Sequence, residues 1–94
     1  MRILWLPQAR QDVARLHSFL VGKSRKAGSR AARLILKGAN RLAEQPLLGR
    51  PMDDDTQRRE FVIPAGGSAY VLRYRIDGDA VVVIRVWHSR ENRL

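Results

Sequence analysis

The order of apolar and polar positions divides the chain into a helical half and an extended half. Over residues 7–21 the apolar side chains fall three or four positions apart, the spacing that places them on one face of an α-helix. This helix begins at a proline, which suits the first turn, and a short strand is predicted before it over residues 2–6. The same spacing predicts a second helix that begins at Ser24 or Ser29 and ends at Glu44.

Apolar runs predict strands in the second half of the chain, over residues 59–63, 70–76 and 80–88. The sequence Asp77-Gly78-Asp79 between the last two runs is a hairpin signal, because it tolerates the positive φ angles of a tight turn. The last run is almost wholly apolar, as expected for a central strand. The order β-α-α-β-β-β predicts an α+β fold, with a helical hairpin packed on one face of a small antiparallel sheet. We expect residues 1–94 to form a single domain.

The other face of such a sheet is left uncovered by the helices. Because side chains alternate along a strand, Arg73 and Arg75 point away from the apolar side of their strand, and Arg85 and Trp87 can lie beside them. Arginine and an aromatic ring on a sheet are typical of surfaces that hold single-stranded nucleic acid or anchor an acidic peptide. The predicted target-binding surface comprises Arg73, Arg75, Arg85, Trp87, His88 and Arg90.

Strict alternation along the last strand separates its side chains into two sets. One side carries Val81, Val83, Arg85 and Trp87, and the other carries Val82, Ile84 and Val86. In the alternative interpretation of the arginine surface, its side chains pair with nearby carboxylates and only keep the sheet solvated. The candidate carboxylates are Glu60, Asp77 and Asp79.

Charge is the most unusual feature of the composition. The chain has 18 Lys and Arg against 9 Asp and Glu, a formal net charge of +9. Such a balance, dominated by arginine, favours nucleic acid or an acidic protein as the partner. On the second predicted helix, basic residues three or four apart form a stripe opposite the apolar face. The stripe, expected to bind an acidic partner unless it is only a solvated helix face, comprises Arg30, Arg33, Lys37 and Arg41.

The composition also excludes several kinds of site. The chain contains no cysteine, so disulfides and thiolate metal sites are excluded, which is compatible with a reducing cytoplasm. No run approaches the roughly 18 apolar residues that a membrane-spanning helix needs. The apolar run at residues 3–6 is too short for a secretory signal. Three adjacent aspartates at residues 53–55 lack the spacing of metal ligands. We therefore expect a cytoplasmic protein with no metal, no cofactor and no membrane contact.

Four segments in order resemble the RelE/ParE superfamily of bacterial toxins, and together they cover nearly the whole chain. The first strand, ending in Trp5, leads into the helix start PQARQDV at residues 7–13. The loop PLLGRP at residues 46–51 resembles the segment between helix and sheet in that family. The closing strands YVLRYRI and VIRVWHSR, at residues 70–76 and 83–90, complete the resemblance.

The resemblance implies the toxin of a bacterial type II toxin–antitoxin system, neutralised by a cognate antitoxin that we expect to be acidic. ParE-like members inhibit DNA gyrase, whereas RelE-like members cut messenger RNA on the ribosome. RelE-like members have an arginine early in the second closing strand, where this chain has Val71, and a further arginine after the last strand, which Arg90 matches. If the chain is a ribonuclease, His88 and Arg90 are its candidate catalytic residues.

The incomplete catalytic set favours the ParE-like interpretation, in which the chain is not an enzyme and causes growth arrest by binding gyrase. RNA cleavage needs a general base, a general acid and cations near phosphorus, and His88 has no second proton-transfer residue of matching identity beside it. A RelE-like ribosome-dependent endoribonuclease is the first alternative, and a non-toxic basic nucleic-acid-binding module is the second. The expected partners are the antitoxin, gyrase, and either DNA with gyrase or mRNA on the ribosome.

Overall fold

The structure, a computed structural model, describes residues 1–91 of the chain; residues 92–94, part of the expected single domain, lie outside the described residues. The helices are α1 (Pro7–Val21) and α2 (Arg25–Glu44). The strands are β1 (Arg2–Trp5), β2 (Arg50–Pro51), β3 (Arg59–Ala65), β4 (Ser68–Asp77) and β5 (Ala80–His88). The predicted β-α-α-β-β-β order is confirmed, with the two-residue β2 as an addition that the sequence did not predict.

The helix ends follow from local chemistry. Pro7 occupies the first turn of α1, where its missing amide hydrogen costs nothing. Of the two predicted starts for α2, Ser24 is the correct one, because its side-chain oxygen accepts a hydrogen bond from the Ala27 amide at 3.0 Å and so caps the helix. Over the described residues, neither helix is both long and apolar enough to cross a membrane.

The five strands form one sheet in the order β1-β5-β4-β3-β2. Neighbouring strands are antiparallel except for β1, which pairs in parallel with Ala80–Val83 of β5. The sheet is therefore mixed, and the prediction of an antiparallel sheet was wrong for this one pair. Periodicity identifies a strand, and a tight turn fixes the direction of the next one. Neither fixes the direction of β1, which is separated from β5 by both helices and three strands.

The β4–β5 hairpin contains a β-bulge that the sequence did not predict. Arg73 lies opposite Arg85, but the next residue of β4, Tyr74, lies opposite Val83. Ile84 is therefore an extra residue in β5 with no counterpart in β4. An extra residue of this kind reverses the alternation of side chains beyond it.

This reversal lets β5 contribute to the core and to the uncovered face. Val81 and Val83, before the bulge, and Val86, after it, all belong to the core beneath the helices and are 0% exposed. The prediction that Val81 and Val83 share a side with Arg85 and Trp87 was therefore wrong. The prediction that Arg85 lies on the same side as Arg73 is confirmed, because the two residues are direct neighbours in register.

The loop between α2 and the sheet is fixed by one buried phenol. The Tyr74 hydroxyl donates to the Pro46 carbonyl at 2.6 Å and accepts from the Gly49 amide at 2.9 Å. Burial raises the pKa of Tyr74, only partly offset by the Gly49 bond, so the hydroxyl stays protonated and available as a donor. Arg59 adds a bond to the Gly49 carbonyl at 2.7 Å. The loop at residues 46–51 is therefore fixed by side chains from two neighbouring strands, Tyr74 of β4 and Arg59 of β3.

We expect Gly49→Ala to destabilise the protein by about 1–3 kcal/mol, because forcing extra atoms into a packed site displaces its neighbours. A Cβ atom at Gly49 lies only 2.5 Å from the Tyr74 ring and hydroxyl. Chemical denaturation measures the loss. Gly67→Ala is the control, since a Cβ there meets nothing closer than 4.0 Å. Equal unfolding midpoints for the two variants contradict the proposed role of Tyr74.

Candidate functional site

The uncovered side of the sheet carries the surface that we call the arginine face, which consists of Arg73, Arg75, Arg85 and Trp87. Arg73 is its centre, because its guanidinium lies over the Trp87 ring at 4.9 Å from the ring centroid. The same guanidinium donates two hydrogen bonds to Glu60 of β3, at 2.7 and 3.0 Å. One of the carboxylates named in the alternative interpretation therefore does pair with an arginine of this surface.

Arg75 lies beside this pair with its charge uncompensated. It is half-buried and stands opposite Val82 of β5. Within residues 1–91, no carboxylate lies within ion-pair distance of Arg75. Neither Asp77 nor Asp79 pairs with the arginine face, since the salt bridge of Asp79 is to Arg2. Arg75 is therefore the member of the face that is most available to a partner.

Arg85 starts on the arginine face, but its guanidinium reaches a buried carboxylate on α1. Arg85 donates to Asp12 through Nε at 2.8 Å and through a terminal nitrogen at 3.1 Å. Asp12 is only 3% exposed and also accepts the Val86 amide at 2.8 Å. Burial acts to raise the pKa of Asp12, but hydrogen bonds from Arg85, Val86 and Arg15 together lower it below its ordinary value.

A second carboxylate extends this arrangement along the edge of β5. Glu91 accepts the His88 amide at 2.8 Å and pairs with Arg15, which also contacts Asp12 at 3.3 Å. We call the set Asp12, Arg15, Arg85 and Glu91 the carboxylate clamp. β1 pairs only with the first residues of β5, so the amides of Val86 and His88 have no partner strand among the described residues. The clamp supplies their acceptors, since Asp12 accepts from Val86 and Glu91 accepts from His88.

The sequence interpretation missed the clamp, although one signal for it was present. Asp12 lies three residues after Ala9 and four before Leu16, both of which are buried. It therefore occupies the apolar stripe of α1, where a carboxylate needs paired charge and hydrogen bonds. An aspartate in that position of a periodic helix predicts a basic partner from another element.

The predicted six-residue target-binding surface is divided by the structure. His88 lies opposite Tyr70, on the helix side of the sheet, and its ring meets the Tyr70 ring edge-on at 5.3 Å. It is therefore separated from the arginine face, and Arg90 follows it past the end of β5. The physical reason is the same alternation that places Trp87 on the opposite side from its neighbour.

Both ring nitrogens of His88 are engaged in hydrogen bonds. The Arg90 amide can only donate, and it lies 3.1 Å from His88 Nδ1, which must therefore be the acceptor. In the neutral ring, Nε2 then carries the hydrogen and donates to Ser68 Oγ at 2.9 Å. The Ser68 hydroxyl in turn donates a hydrogen bond to the Ala65 carbonyl at 3.2 Å. The ring therefore links the end of β5 to the β3–β4 turn.

A groove lies beside His88, between α1 and the ends of β4 and β5. We call it the α1 groove, and its walls include Leu16, Phe19, Leu20, Tyr70 and His88. Its volume is about 610 Å³, within the range of roughly 300–1,000 Å³ that is typical of ligand pockets. The groove and the arginine face lie on opposite sides of the sheet.

The basic stripe of α2 has the predicted exposure. Its four residues, Arg30, Arg33, Lys37 and Arg41, are all exposed. Arg41 lies over the Phe61 ring at 5.8 Å, whereas no carboxylate among residues 1–91 pairs with any of the four. Asp53, Asp54 and Asp55 are exposed, and Asp54 bonds to Thr56 and Arg58. In the described part of the chain, no group of acidic and histidine side chains is arranged to hold a metal ion.

Comparison with known proteins confirms the resemblance seen in the sequence. Residues 3–93 match the family model described as the ParE toxin of the type II toxin–antitoxin system parDE. Toxin RelE3 of Caulobacter vibrioides is 40% identical over 93% of this chain and 92% of its own length. Toxin RelE1 of the same species is 41% identical over 92% of this chain and 90% of its own length.

Solved structures agree on the fold. A chain of a chromosomal ParDE toxin–antitoxin system from P. aeruginosa superposes with a TM-score of 0.79 at 16% identity, over 96% of this chain and 97% of that chain. A chain of the toxin–antitoxin complex RelBE2 from Mycobacterium tuberculosis gives 0.65 at 26% identity, over 93% and 95%. The predicted helical hairpin on a small sheet is the shared arrangement.

Removing the Asp12 carboxylate should destabilise the fold in a pH-dependent way. Asp12→Ala leaves the Val86 amide without its acceptor, a loss of about 1–3 kcal/mol. The loss stays below the roughly 3–5 kcal/mol of a fully buried pair, because Arg15 and Arg85 are partly exposed to water. Thermal or chemical unfolding at neutral pH measures it.

The pH dependence follows from the lowered pKa of Asp12. Its stabilising contribution is complete above the ordinary value of 3.8 and is lost as pH falls through the lower folded-state value. The difference in stability between the wild type and Asp12→Ala should therefore narrow in acid. Asp79→Ala, which breaks an exposed pair, is the control and should leave the midpoint nearly unchanged. If the stability difference between the wild type and Asp12→Ala does not change with pH, this explanation of the role of Asp12 is wrong.

Proposed function

Because the chain belongs to the ParE toxin family of type II toxin–antitoxin systems, we propose that it arrests growth in the cytoplasm by binding DNA gyrase. In this proposal the chain breaks no bond itself and traps gyrase while the DNA is cut. A cognate acidic antitoxin neutralises it, with the basic stripe of α2 as one contact surface. The carrying observation is Arg75 on the arginine face, a half-buried cation to which no carboxylate among residues 1–91 is paired.

The electrostatics of the arginine face support a macromolecular target. The net charge of +9 attracts acidic protein surfaces and DNA over long distances. Arg75 carries a charge that no described carboxylate compensates, whereas the charge of Arg73, which lies over the buried Trp87 ring, is paired with Glu60. Trp and Arg are enriched among the residues that dominate protein interfaces. Gyrase together with its bound DNA offers both kinds of partner surface.

The surroundings of His88 support a non-enzymatic mechanism. A general base needs a free lone pair within reach of the proton that it removes. In His88, Nδ1 accepts the Arg90 amide and Nε2 contacts Ser68, so neither nitrogen is free. The ring also lies on the side of the sheet opposite the arginine face. We therefore assign His88 to the stabilisation of the strand end.

One observation favours ribosome-dependent mRNA cleavage as the second candidate function, since the relatives at about 40% identity are named RelE toxins. In that case His88 and Arg90 supply the catalytic groups. The purified chain should then cut translated messages within codons, and His88→Ala or Arg90→Ala should abolish the cuts. Primer extension on mRNA from translating extracts measures this. Intact messages under full growth arrest rule the nuclease out.

For the gyrase proposal, we expect the purified chain to inhibit supercoiling by gyrase and to accumulate cleaved DNA. Arg75→Glu should raise the inhibitory concentration by at least about tenfold, or about 1.4 kcal/mol, because it reverses the uncompensated charge of the arginine face. Gel assays of plasmid supercoiling and cleavage provide both measurements.

Arg10→Glu is the charge-matched control, since Arg10 is exposed on α1, and it should inhibit gyrase as the wild type does. Equal loss in both variants means that net charge alone governs inhibition. Absence of any gyrase effect from the wild-type chain removes the gyrase proposal. Expression without growth arrest supports instead a non-toxic basic module that binds nucleic acid.

A further inference from the structure

Four charged residues form one row across the uncovered face of the sheet. In register from β2 to β5, this charged row consists of Arg50, Glu60, Arg73 and Arg85. Glu60 is its only carboxylate, and it stands between Arg50 on one neighbouring strand and Arg73 on the other. The negative charge of Glu60 therefore interrupts a series of cations that would otherwise continue across the sheet.

The neighbouring row on the same face is apolar. Two residues along from the charged row, Val71 of β4 stands between Val62 of β3 and Trp87 of β5. Residues two apart share a side of a strand, so this apolar row also lies on the uncovered face. Val62 is 56% exposed. The uncovered face thus presents apolar surface to solvent next to its charges.

Glu60 occupies the edge of Arg73 to which a phosphate would bind. Arginine binds phosphate best through two parallel N–H donors of the guanidinium. In Arg73, Nε and one terminal nitrogen both donate to the same Glu60 oxygen, at 3.0 and 2.7 Å. One face of this guanidinium also lies over the Trp87 ring. A phosphate can therefore bind to that edge of Arg73 only if it displaces Glu60.

The cations that remain on the face do not form a continuous track. Within the described part of the chain, ion pairs hold Arg73 and Arg85 but neither Arg50 nor Arg75. Arg50 and Arg75 lie on strands two apart in the sheet, a separation of about 10 Å across the strands, and β3 with Glu60 lies between these strands. A phosphate backbone that crosses the face between the two free arginines therefore meets a carboxylate on its way.

A depression beside Arg50 adds a second carboxylate. Its volume is about 360 Å³, and its lining includes Arg50, Asp53 and Glu60. Asp53 is exposed. Like charges repel a polyanion at short range, so this end of the charged row also disfavours phosphate.

We propose that Glu60 is a specificity-determining residue, which by holding Arg73 excludes the phosphate backbone of single-stranded nucleic acid from the arginine face and leaves that face to an acidic protein surface. The proposal rests on the proposed function, since it gives the reason why the face binds gyrase and does not bind a messenger RNA. Such discrimination between partners is commonly achieved by a repulsive group placed against the wrong one.

The apolar row fits a protein partner better than a single strand. Protein interfaces bury apolar surface together with a few charged groups, which matches the exposed Val62 and the uncompensated Arg75. Single strands are held by basic grooves in which aromatic rings stack on successive bases. The one aromatic ring of this face, Trp87, is only 8% exposed, so it offers little surface on which a base can stack.

The test measures how the full chain binds a short, fluorescently labelled oligouridylate, by fluorescence anisotropy. Glu60→Gln removes the negative charge and keeps an oxygen that can accept a hydrogen bond from Arg73. We expect Kd to fall at least about tenfold, because one charge-assisted contact with phosphate becomes available. The slope of log Kd against log salt concentration should steepen by about 0.7, the value for one more phosphate contact on a single strand.

Asp79→Asn is the matched control. It removes the same charge and releases Arg2 from an ion pair, but at the β4–β5 turn and outside the charged row. Because a change in net charge alone is screened by salt, Kd for the oligouridylate should stay within about twofold of the wild type. Equal gains for Glu60→Gln and Asp79→Asn mean that net charge governs binding, and the proposal is then wrong.

The double variant Glu60→Gln/Arg73→Gln shows whether Glu60 acts through Arg73. It should lose the gain in affinity and the steeper salt dependence, since the released guanidinium is gone. If the double variant keeps the gain, Glu60 does not act through Arg73 and the proposal fails. Circular dichroism and thermal unfolding verify that each variant is folded.

The remaining outcomes separate this proposal from the proposed function. If Glu60→Gln binds the oligouridylate no better than the wild type, Glu60 does not exclude nucleic acid. If Arg73→Gln alone weakens binding of the wild-type chain, the face already binds nucleic acid through Arg73, and the proposal is wrong. If the wild type does not inhibit gyrase, the gyrase proposal fails, while the comparison of Glu60→Gln with Asp79→Asn still decides whether Glu60 excludes phosphate.

Discussion

The buried carboxylate of Asp12 connects the parts of the molecule on which the candidate surfaces depend. It joins α1 to the backbone of β5 through the Val86 amide, and it holds the guanidinium of Arg85. A charge buried in this way is stable only while its partners remain in place. The position of α1, and with it one wall of the α1 groove, is therefore coupled to the position of Arg85 on the other side of the sheet.

The bulge at Ile84 solves a different problem, because β5 has to serve both the core and the surface. Without the extra residue, the alternation that buries Val81 and Val83 would also bury Arg85 and Trp87. With it, the first half of the strand packs beneath the helices and the second half carries charge on the uncovered face. Val86 still packs beneath the helices after the bulge while its neighbour Arg85 lies on the uncovered side, so the second half of the strand serves both the core and the candidate surface.

Local patterns predicted what depends on local physics. Helical spacing gave both ends of α1 and the end of α2, but it left the start of α2 open between Ser24 and Ser29. The Asp77-Gly78 signal gave the last hairpin, in which Gly78 has the expected positive φ. The bulge was not predictable, because an extra residue within a run of valines and isoleucine leaves no mark in the pattern. The separation of His88 from the arginine face followed directly from alternation and could have been predicted.

The clamp also bears on how the sheet ends. Strand edges with free amides recruit further strands, which leads to aggregation. In the part of β5 that extends past β1, the amides of Val86 and His88 are bonded to Asp12 and Glu91. At the opposite edge of the sheet, β2 is only two residues long and includes Pro51, which has no amide hydrogen. A second molecule can therefore bond to these β5 amides only by first displacing the two carboxylates, and at β2 it meets only two residues, one of which cannot donate a hydrogen bond.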